Sequence, residues 1–256
     1  MIFFILNSGK CGAALNMALD EALLEAVARL QKPVLRFYGW TEPAATFGYF
    51  QKFAEVERAT LLRPLIRRPT GGGIVPHDAD WTYSLVFPPG HEWHSLKAEE
   101  SYRRVHEWIH DAFAGLNIEA ELASHGRKNP SVIGGSRREE AHSEKSESRQ
   151  SLLTSAATII LPGQCFAGYE KSDLLWRGKK IAGAAQRRNQ LGLLIQGSVQ
   201  PPLPLARDTW QEAMCDVGGS AFGVEWSDFE PDEPLRRRAE ALVRQKYSQP
   251  EFITRR

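Results

Sequence analysis

The sequence predicts an α+β fold with mixed, mainly antiparallel sheets flanked by helices. Two observations lead there. Segments with helical apolar spacing and segments of strand character are interspersed without the regular βαβ alternation of a parallel, doubly wound sheet. From residue 156 onward, short apolar runs follow one another with only turns between them, as consecutive antiparallel strands do. With 256 residues, 42% of them hydrophobic and 25% charged, the chain can bury a core. It reads as one domain over 1–256, carrying a disordered insert at 124–151 and C-terminal helices from about 204.

The apolar opening MIFFILNSGK is expected to be the first strand, because no basic region precedes it as in a secretory leader. Asn16 then reads as an N-cap for MALDEALLEAVARL, which sets Leu19, Leu23, Ala26, Val27 and Leu30 on one stripe and Asp20 and Glu21 near the positive helix end. Pro33 helps stop this helix. VLRFYGW (34–40), AATFGY (44–49), PLIRRP and TYSLVF (82–87) read as strands, the last two flanking a glycine triplet. Val105, Trp108, Ile109, Ala112 and Phe113 recur at helical spacing between Glu99 and about Gly115. Residues 124–151 are dense in charge, Ser and Gly, with too few apolar residues for a core; their Arg137 and Arg138 read as a solvated charge run rather than a docking site. AATIIL (156–161), DLLW, KKIAGAAQRR and LGLLIQGSV follow as strands, and helices close the chain near 206–215 and 233–247.

Composition narrows the function classes. A formal charge of +1 is too balanced to argue for a nucleic-acid or membrane-surface binder, and neither partner is expected. Cys11, Cys165 and Cys215 are too few and too scattered for a disulfide framework or a thiolate zinc site, so reduced thiols and a cytoplasmic protein with no metal are expected. No apolar stretch approaches the length of a membrane span.

Three segments could carry chemistry. In Arg67-Arg68-Pro69-Thr70-Gly71-Gly72-Gly73-Ile74-Val75-Pro76-His77-Asp78, three glycines strip the side chains from a loop, letting backbone amides approach a phosphate or an acyl chain; a merely tight turn is the plainer reading. The run is neither a P-loop nor a dinucleotide fingerprint. Arg67 and Arg68 on a strand point to opposite faces, and Arg68 is the better candidate to face the loop and grip an anionic group. His77 and Asp78 could act as an acid–base pair, although neighbours in sequence rarely bond each other. The second segment is Gly163-Gln164-Cys165-Phe166-Ala167-Gly168, where a cysteine in a glycine-rich turn could attack an ester if a cation such as Lys179 or Lys180 lay near; an inert thiol is the plainer reading. In the third, 178–188, Lys180 would lie on the strand face opposite Lys179 and Ile181, with Ala182, Gly183, Ala184 and Ala185 leaving room for a ligand beside it. A charged hairpin edge would look the same.

In this order, NMALDEALL, VLRFYGWTEPAATFGYFQ, RRPTGGGIVPHDADWTYSLVFP, GKKIAGAAQRR and LIQGSV resemble the lipoyl/octanoyl transferase and lipoate-protein ligase family, relatives of biotin protein ligase. The resemblance runs from residue 16 to about 198. It implies the biotin/lipoate ligase catalytic fold, an acyl pocket built with Arg68, Thr70, Gly71, Gly72, Gly73, His77, Gly183 and Ala184, and Lys180 holding the acyl carbonyl. CFAGYEKSDLLWRGKKIAGAAQRR is similar to the cysteine-dependent octanoyltransferases, which implies Cys165 as nucleophile, acyl carrier protein as donor, a lipoyl domain or glycine-cleavage H protein as acceptor, and no cofactor. A ligase, the other chemistry of the family, would need ATP and magnesium. Acidic acceptors would make Arg187 and Arg188 docking residues by charge.

Overall fold

The computed structural model describes residues 1–126, 166 and 168–255. Along the chain run β1 (Ile2–Cys11), α1 (Ala13–Leu30), β2 (Val34–Trp40), β3 (Ala44–Phe47), α2 (Phe53–Ala59), β4 (Leu65–Arg67), β5 (Val75–His77), β6 (Trp81–Phe87), α3 (Glu92–Ser95), α4 (Ala98–Gly115) and β7 (Glu121–Leu122). Then follow β8 (Leu174–Trp176), β9 (Lys179–Asn189), β10 (Gly192–Val199), α5 (Arg207–Phe222), β11 (Glu225–Asp228), α6 (Glu233–Leu242), a π-helical turn (Val243–Tyr247) and α7 (Pro250–Thr254). Among the described residues an eight-stranded sheet has the order β11-β1-β2-β6-β10-β9-β8-β7, and a three-stranded sheet the order β4-β3-β5. β1 pairs parallel with both β11 and β2, and β3 parallel with β4; every other pairing is antiparallel. The architecture is α+β with mixed, mainly antiparallel sheets, as expected.

Strand periodicity divides the large sheet into two faces. Leu35 and Phe37 of β2, Tyr83 and Leu85 of β6, and Leu193 and Ile195 of β10 join Val105, Trp108 and Ile109 of α4 and Trp210 and Met214 of α5 in one core. The intervening residues Val34, Tyr38, Val86 and Leu194 pack with Met17, Leu23 and Val27 of α1 and Leu235 and Ala239 of α6 in a second core. The central sheet is thus covered on both sides. The small sheet closes a third cluster around Phe47, Val56 and Ile74.

Several expectations need correction. α1 begins at Ala13 behind Gly12, so Asn16 is not its N-cap. Its buried carboxamide instead donates to the carbonyls of Cys11 (3.2 Å) and Gly39 (2.8 Å), tying the helix start to the ends of β1 and β2. With the helix starting earlier, Asp20 and Glu21 are not near its positive end; both are buried on packed faces. The 44–49 strand ends at Phe47, where the chain turns. β5, β7, β11, α2, α3 and α7 have no counterpart in the sequence reading, and α5 runs on past Cys215 to Phe222. The expected AATIIL strand, Arg137, Arg138, and all of the 124–151 insert after Gly126 lie outside the described residues.

The DLLW–KKIAG turn is a tight hairpin with Arg177 and Gly178 both at positive φ (49° and 71°), the geometry that matches the twist of paired strands. Beyond it the β8–β9 register shifts opposite Leu174–Leu175. This irregularity sends both Ile181 and Ala182 into the α4-side core, which strict alternation forbids.

Candidate functional site

A partly open cavity, about 440 Å³ when its solvent-filled mouth is included, lies between α1, the small sheet and the β9–β10 hairpin. Its shape follows from the register of the large sheet. One row of paired positions reads Arg36, Ser84, Gln196, Ala185 across β2, β6, β10 and β9; the next reads Tyr38, Thr82, Ser198, Gly183. The second row shrinks steadily toward β9, and both rows end there in a small residue. The space they leave is the cavity, bounded by Met17, Trp40, Thr46, Arg68, Gly72, Val75, His77, Phe166 and the backbone-rich Gly183–Ala185 stretch.

Many of these wall residues are polar, yet the cavity presents mainly carbon. Two buried aspartates account for this by drawing the polar atoms out of it. Asp20, fully buried, pairs with Arg36 Nη1 at 2.6 Å and accepts from Ser84 Oγ (2.7 Å), Tyr38 Oη (3.0 Å) and Gln196 Nε2 (2.7 Å). Burial, followed by the Asp20 carboxylate, holds the Tyr38 hydroxyl well above the usual phenol range. Asp80 Oδ2 accepts from Thr82 Oγ1 (3.0 Å) and Ser198 Oγ (2.7 Å) and meets His77 Nδ1 at 2.9 Å. A buried polar group is tolerated when it is bonded, so bonding these groups to the aspartates leaves an apolar wall.

The glycine loop is tied to this frame. Arg68 donates to the carbonyls of Gly71 (3.1 and 2.7 Å) and Gly73 (2.7 Å) and to Thr46 Oγ1 (3.1 Å). Thr46 Oγ1 lies 2.8 Å from His77 Nε2, so Arg68, Thr46, His77 and Asp80 form one chain of hydrogen bonds. The His77 partner is therefore Asp80, three residues on, and not Asp78, which is exposed. The His77 ring stacks on Trp40 with centroids 3.9 Å apart. Thr70 Oγ1 donates to Gln196 Oε1 (2.8 Å), linking the loop to Asp20. Gly72 holds φ 86°, a left-handed conformation that favours glycine. Gly48 permits a closer approach, because a Cβ there would sit 2.1 Å from the Gly72 carbonyl oxygen.

Arg67 points away from the loop, as strand alternation predicts. Fully buried, it donates to the carbonyls of Tyr49 and Gln51 (2.7 Å each), Phe252 and Ile253 (3.2 Å each) and Arg255 (2.6 Å), fastening the end of α7 to the loop after β3.

Of the sequence-predicted residues, Arg68, Gly72, His77, Gly183 and Ala184 line the cavity. Thr70, Gly71 and Gly73 stand behind that wall as the bonding partners of Gln196 and Arg68. Cys165 lies outside the described residues; its neighbour Phe166 lines the cavity. Lys180 is not in the lining. Its side chain, 5% exposed, pairs with Asp173 Oδ2 at 2.7 Å, and its Nζ lies 5.7 Å from the Phe166 ring centroid, whereas Lys179 is exposed. Asp173, fully buried, also accepts from the Glu170 amide (2.7 Å) and from the Tyr102 hydroxyl. Beside this pair lies His106, whose imidazole burial pushes down to about 4. Arg187 turns inward to Glu21 (3.4 Å), and Arg188 donates to the carbonyls of Trp93 (3.2 Å) and His94, so both proposed docking arginines are engaged within the chain.

Sequence reasoning missed Asp20, Asp80, Asp173, Gln196 and Met17. Only His77 and Asp80, three apart, left a local signal.

Comparisons with known proteins follow this geometry. The lipoyl protein ligase A/B catalytic domain family matches residues 12–200. An octanoyltransferase LipM of Geobacillus kaustophilus is 32% identical over 203 residues, covering 77% of this chain and 65% of the relative. The chain therefore spans just under two thirds of that relative's length. A putative lipoate protein ligase from T. acidophilum with bound lipoic acid superposes with a TM-score of 0.72 at 19% identity, over 99% of this chain and 100% of the other. A bi-partite lipoate protein ligase studied with its E2 lipoyl domain from Thermoplasma acidophilum superposes at 0.70 and 18% identity, covering 99% and 96%. These two likenesses show the fold. Among the described residues no helix is long and apolar enough to cross a membrane.

Proposed function

Because the chain belongs to the lipoyl protein ligase A/B catalytic domain family, we propose that it is an acyltransferase. It moves an octanoyl (or lipoyl) group from acyl carrier protein, through a thioester on Cys165, to a lysine of a lipoyl domain or glycine-cleavage H protein. The observation that carries this reading is the apolar cavity whose wall includes Phe166, next in sequence to Cys165 and close to the Lys180 ammonium. An alkyl chain fits such a wall, and its carbonyl end would lie toward Phe166, where Gly72, Ala184 and Ala185 are the more exposed lining residues.

In the first step the Cys165 thiolate attacks the donor thioester carbonyl, forming a tetrahedral oxyanion. Collapse forms the enzyme thioester and expels the carrier thiolate, which takes up a proton. In the second step the acceptor lysine amine attacks, loses its proton, and expels Cys165 as thiolate, leaving an amide. Thioester exchange is nearly isoenergetic and amide formation runs downhill, so neither step calls for ATP. Lys180, held by Asp173 and 5.7 Å from the Phe166 ring centroid, is the residue that would stabilise the oxyanion in both steps. Support for a lipoyl-domain acceptor comes from the T. acidophilum ligase, whose structure was determined as part of a system with its E2 lipoyl domain.

Intact-mass analysis after mixing with octanoyl-acyl carrier protein is expected to add one octanoyl group on Cys165, and Cys165→Ser to abolish it. Pyrophosphate release from ATP plus lipoate, with no self-acylation, would instead mark an ATP-dependent lipoate-protein ligase.

A further inference from the structure

The lining of the cavity grades from exposed to buried residues, and one residue on the buried side points to how chain length is chosen. Gly72 is exposed and Phe166, Ala184 and Ala185 are half-buried, whereas Met17, Tyr38, Thr46, Thr82 and Ser198 are buried. At that inner end most side chains are pinned by strong hydrogen bonds. Tyr38 Oη is held by Asp20 (3.0 Å), Trp40 Nε1 donates to Thr82 Oγ1 (2.8 Å), and His77 lies between Thr46 and Asp80. None can swing aside without orphaning a buried polar atom.

Met17 is different. Its unbranched thioether has the rotational freedom to fill or vacate space, and its recorded polar contact is the weak one from Gln196 Nε2 to Sδ at 3.4 Å. The backbone that carries it is fixed, because Asn16 next to it bonds Cys11 and Gly39. Asp20, one helical turn on, binds the same Gln196 nitrogen at 2.7 Å. Gln196 therefore touches the Met17 sulfur on the buried side of the cavity while its Oε1 accepts from Thr70 of the glycine loop.

We propose that Met17 is the length-determining residue of the acyl site, a compliant stop that sets the longest chain accepted. The proposal rests on the acyl-transfer reading and deepens it. Shortening the side chain to Met17→Ala removes its three outermost heavy atoms, opening room for about two further methylenes. Each buried methylene changes affinity about four-fold, so preference for a ten-carbon over an eight-carbon chain is expected to rise roughly fifteen-fold. Met17→Phe should move the preference toward six carbons.

The test is single-turnover acylation by carrier proteins bearing six-, eight-, ten- and twelve-carbon chains, with thermal shifts by the free fatty acids of the same lengths. Met17→Leu serves as a milder variant in case the alanine protein does not fold. A changed ratio between chain lengths supports the stop, whereas a uniform slowing of all chains, the mark of a merely structural residue, overturns it. If the unsubstituted protein transfers no acyl group, the transferase reading fails; the fatty-acid shifts then still decide on Met17, and an unchanged length profile there rejects it.

Discussion

Replacing Gly48 by alanine tests how the glycine loop is held. Gly48 lies outside the left-handed region, so alanine adds no backbone strain there. The obstacle is contact, because its Cβ would meet backbone on the far side, 2.1 Å from the Gly72 oxygen and 2.9 Å from the Gly71 carbonyl carbon. Relief requires the loop to retreat by about 1 Å, since ordinary contacts lie well beyond these distances. That movement strains the bonds from Tyr49 N to Thr70 O (2.8 Å) and from Arg68 N to Phe47 O (2.9 Å). Overpacking costs about 1–3 kcal/mol and a lost hydrogen bond about 1 kcal/mol more, so Gly48→Ala should lose about 2–4 kcal/mol, lowering Tm by roughly 5–12 °C in a chain this size. Acyl transfer should fall with it, because Gly72 lines the cavity. The matched control is Gly71→Ala, a glycine of the triplet whose added Cβ meets nothing within 4 Å. It should stay within about 0.5 kcal/mol of the parent. Differential scanning calorimetry on both variants decides the matter: an unperturbed Gly48→Ala beside a destabilised Gly71→Ala would refute the packing argument.

Two further outcomes are expected. His106 is neutral in the folded protein and burial lowers it to about 4 from an ordinary 6.5, so the unfolded chain binds more protons between those values. Stability should be complete above pH 6.5 and decline by about 3 kcal/mol toward pH 4, and His106→Phe should flatten that limb in urea titrations across pH. Asp20→Asn removes the counter-ion of the fully buried Arg36 and should cost about 3–5 kcal/mol in guanidinium unfolding; an unaltered midpoint would show that the Asp20 network does not hold α1 to the sheet.

The long elements were legible in the sequence because period and partner agree. β6 and β10 alternate between two apolar cores, and α4 carries one apolar stripe against one of them. The short ones were not. β5 contains Pro76, and β5 and β11 owe their existence to pairing with β3 and β1, which no local pattern encodes. At the site, the glycine triplet and the Gly183–Ala185 stretch signalled open space, and Arg68 was correctly placed facing the loop. The aspartates behind the wall were hidden for a physical reason. Asp20 sits on a helix packed by the sheet on one side and by α6 on another, so a charge that looks solvent-facing along the sequence is enclosed in three dimensions. The Met17 side chain likewise reads as one more apolar position until the register of β10 brings Gln196 beside it.

The position of β1 inside the large sheet has a bearing on how the chain is made. β1 is flanked by β2 on one side and by β11 on the other, and both neighbours run parallel to it. During synthesis the β2 flank is covered early, while the opposite edge stays open until residues 225–228 have left the ribosome. Through that interval the nascent chain carries a row of unpaired amides and carbonyls beside aromatic residues such as Phe3, an adhesive rim that a chaperone could shelter. Completion of the sheet is therefore a late event, timed by translation of the segment that follows α5.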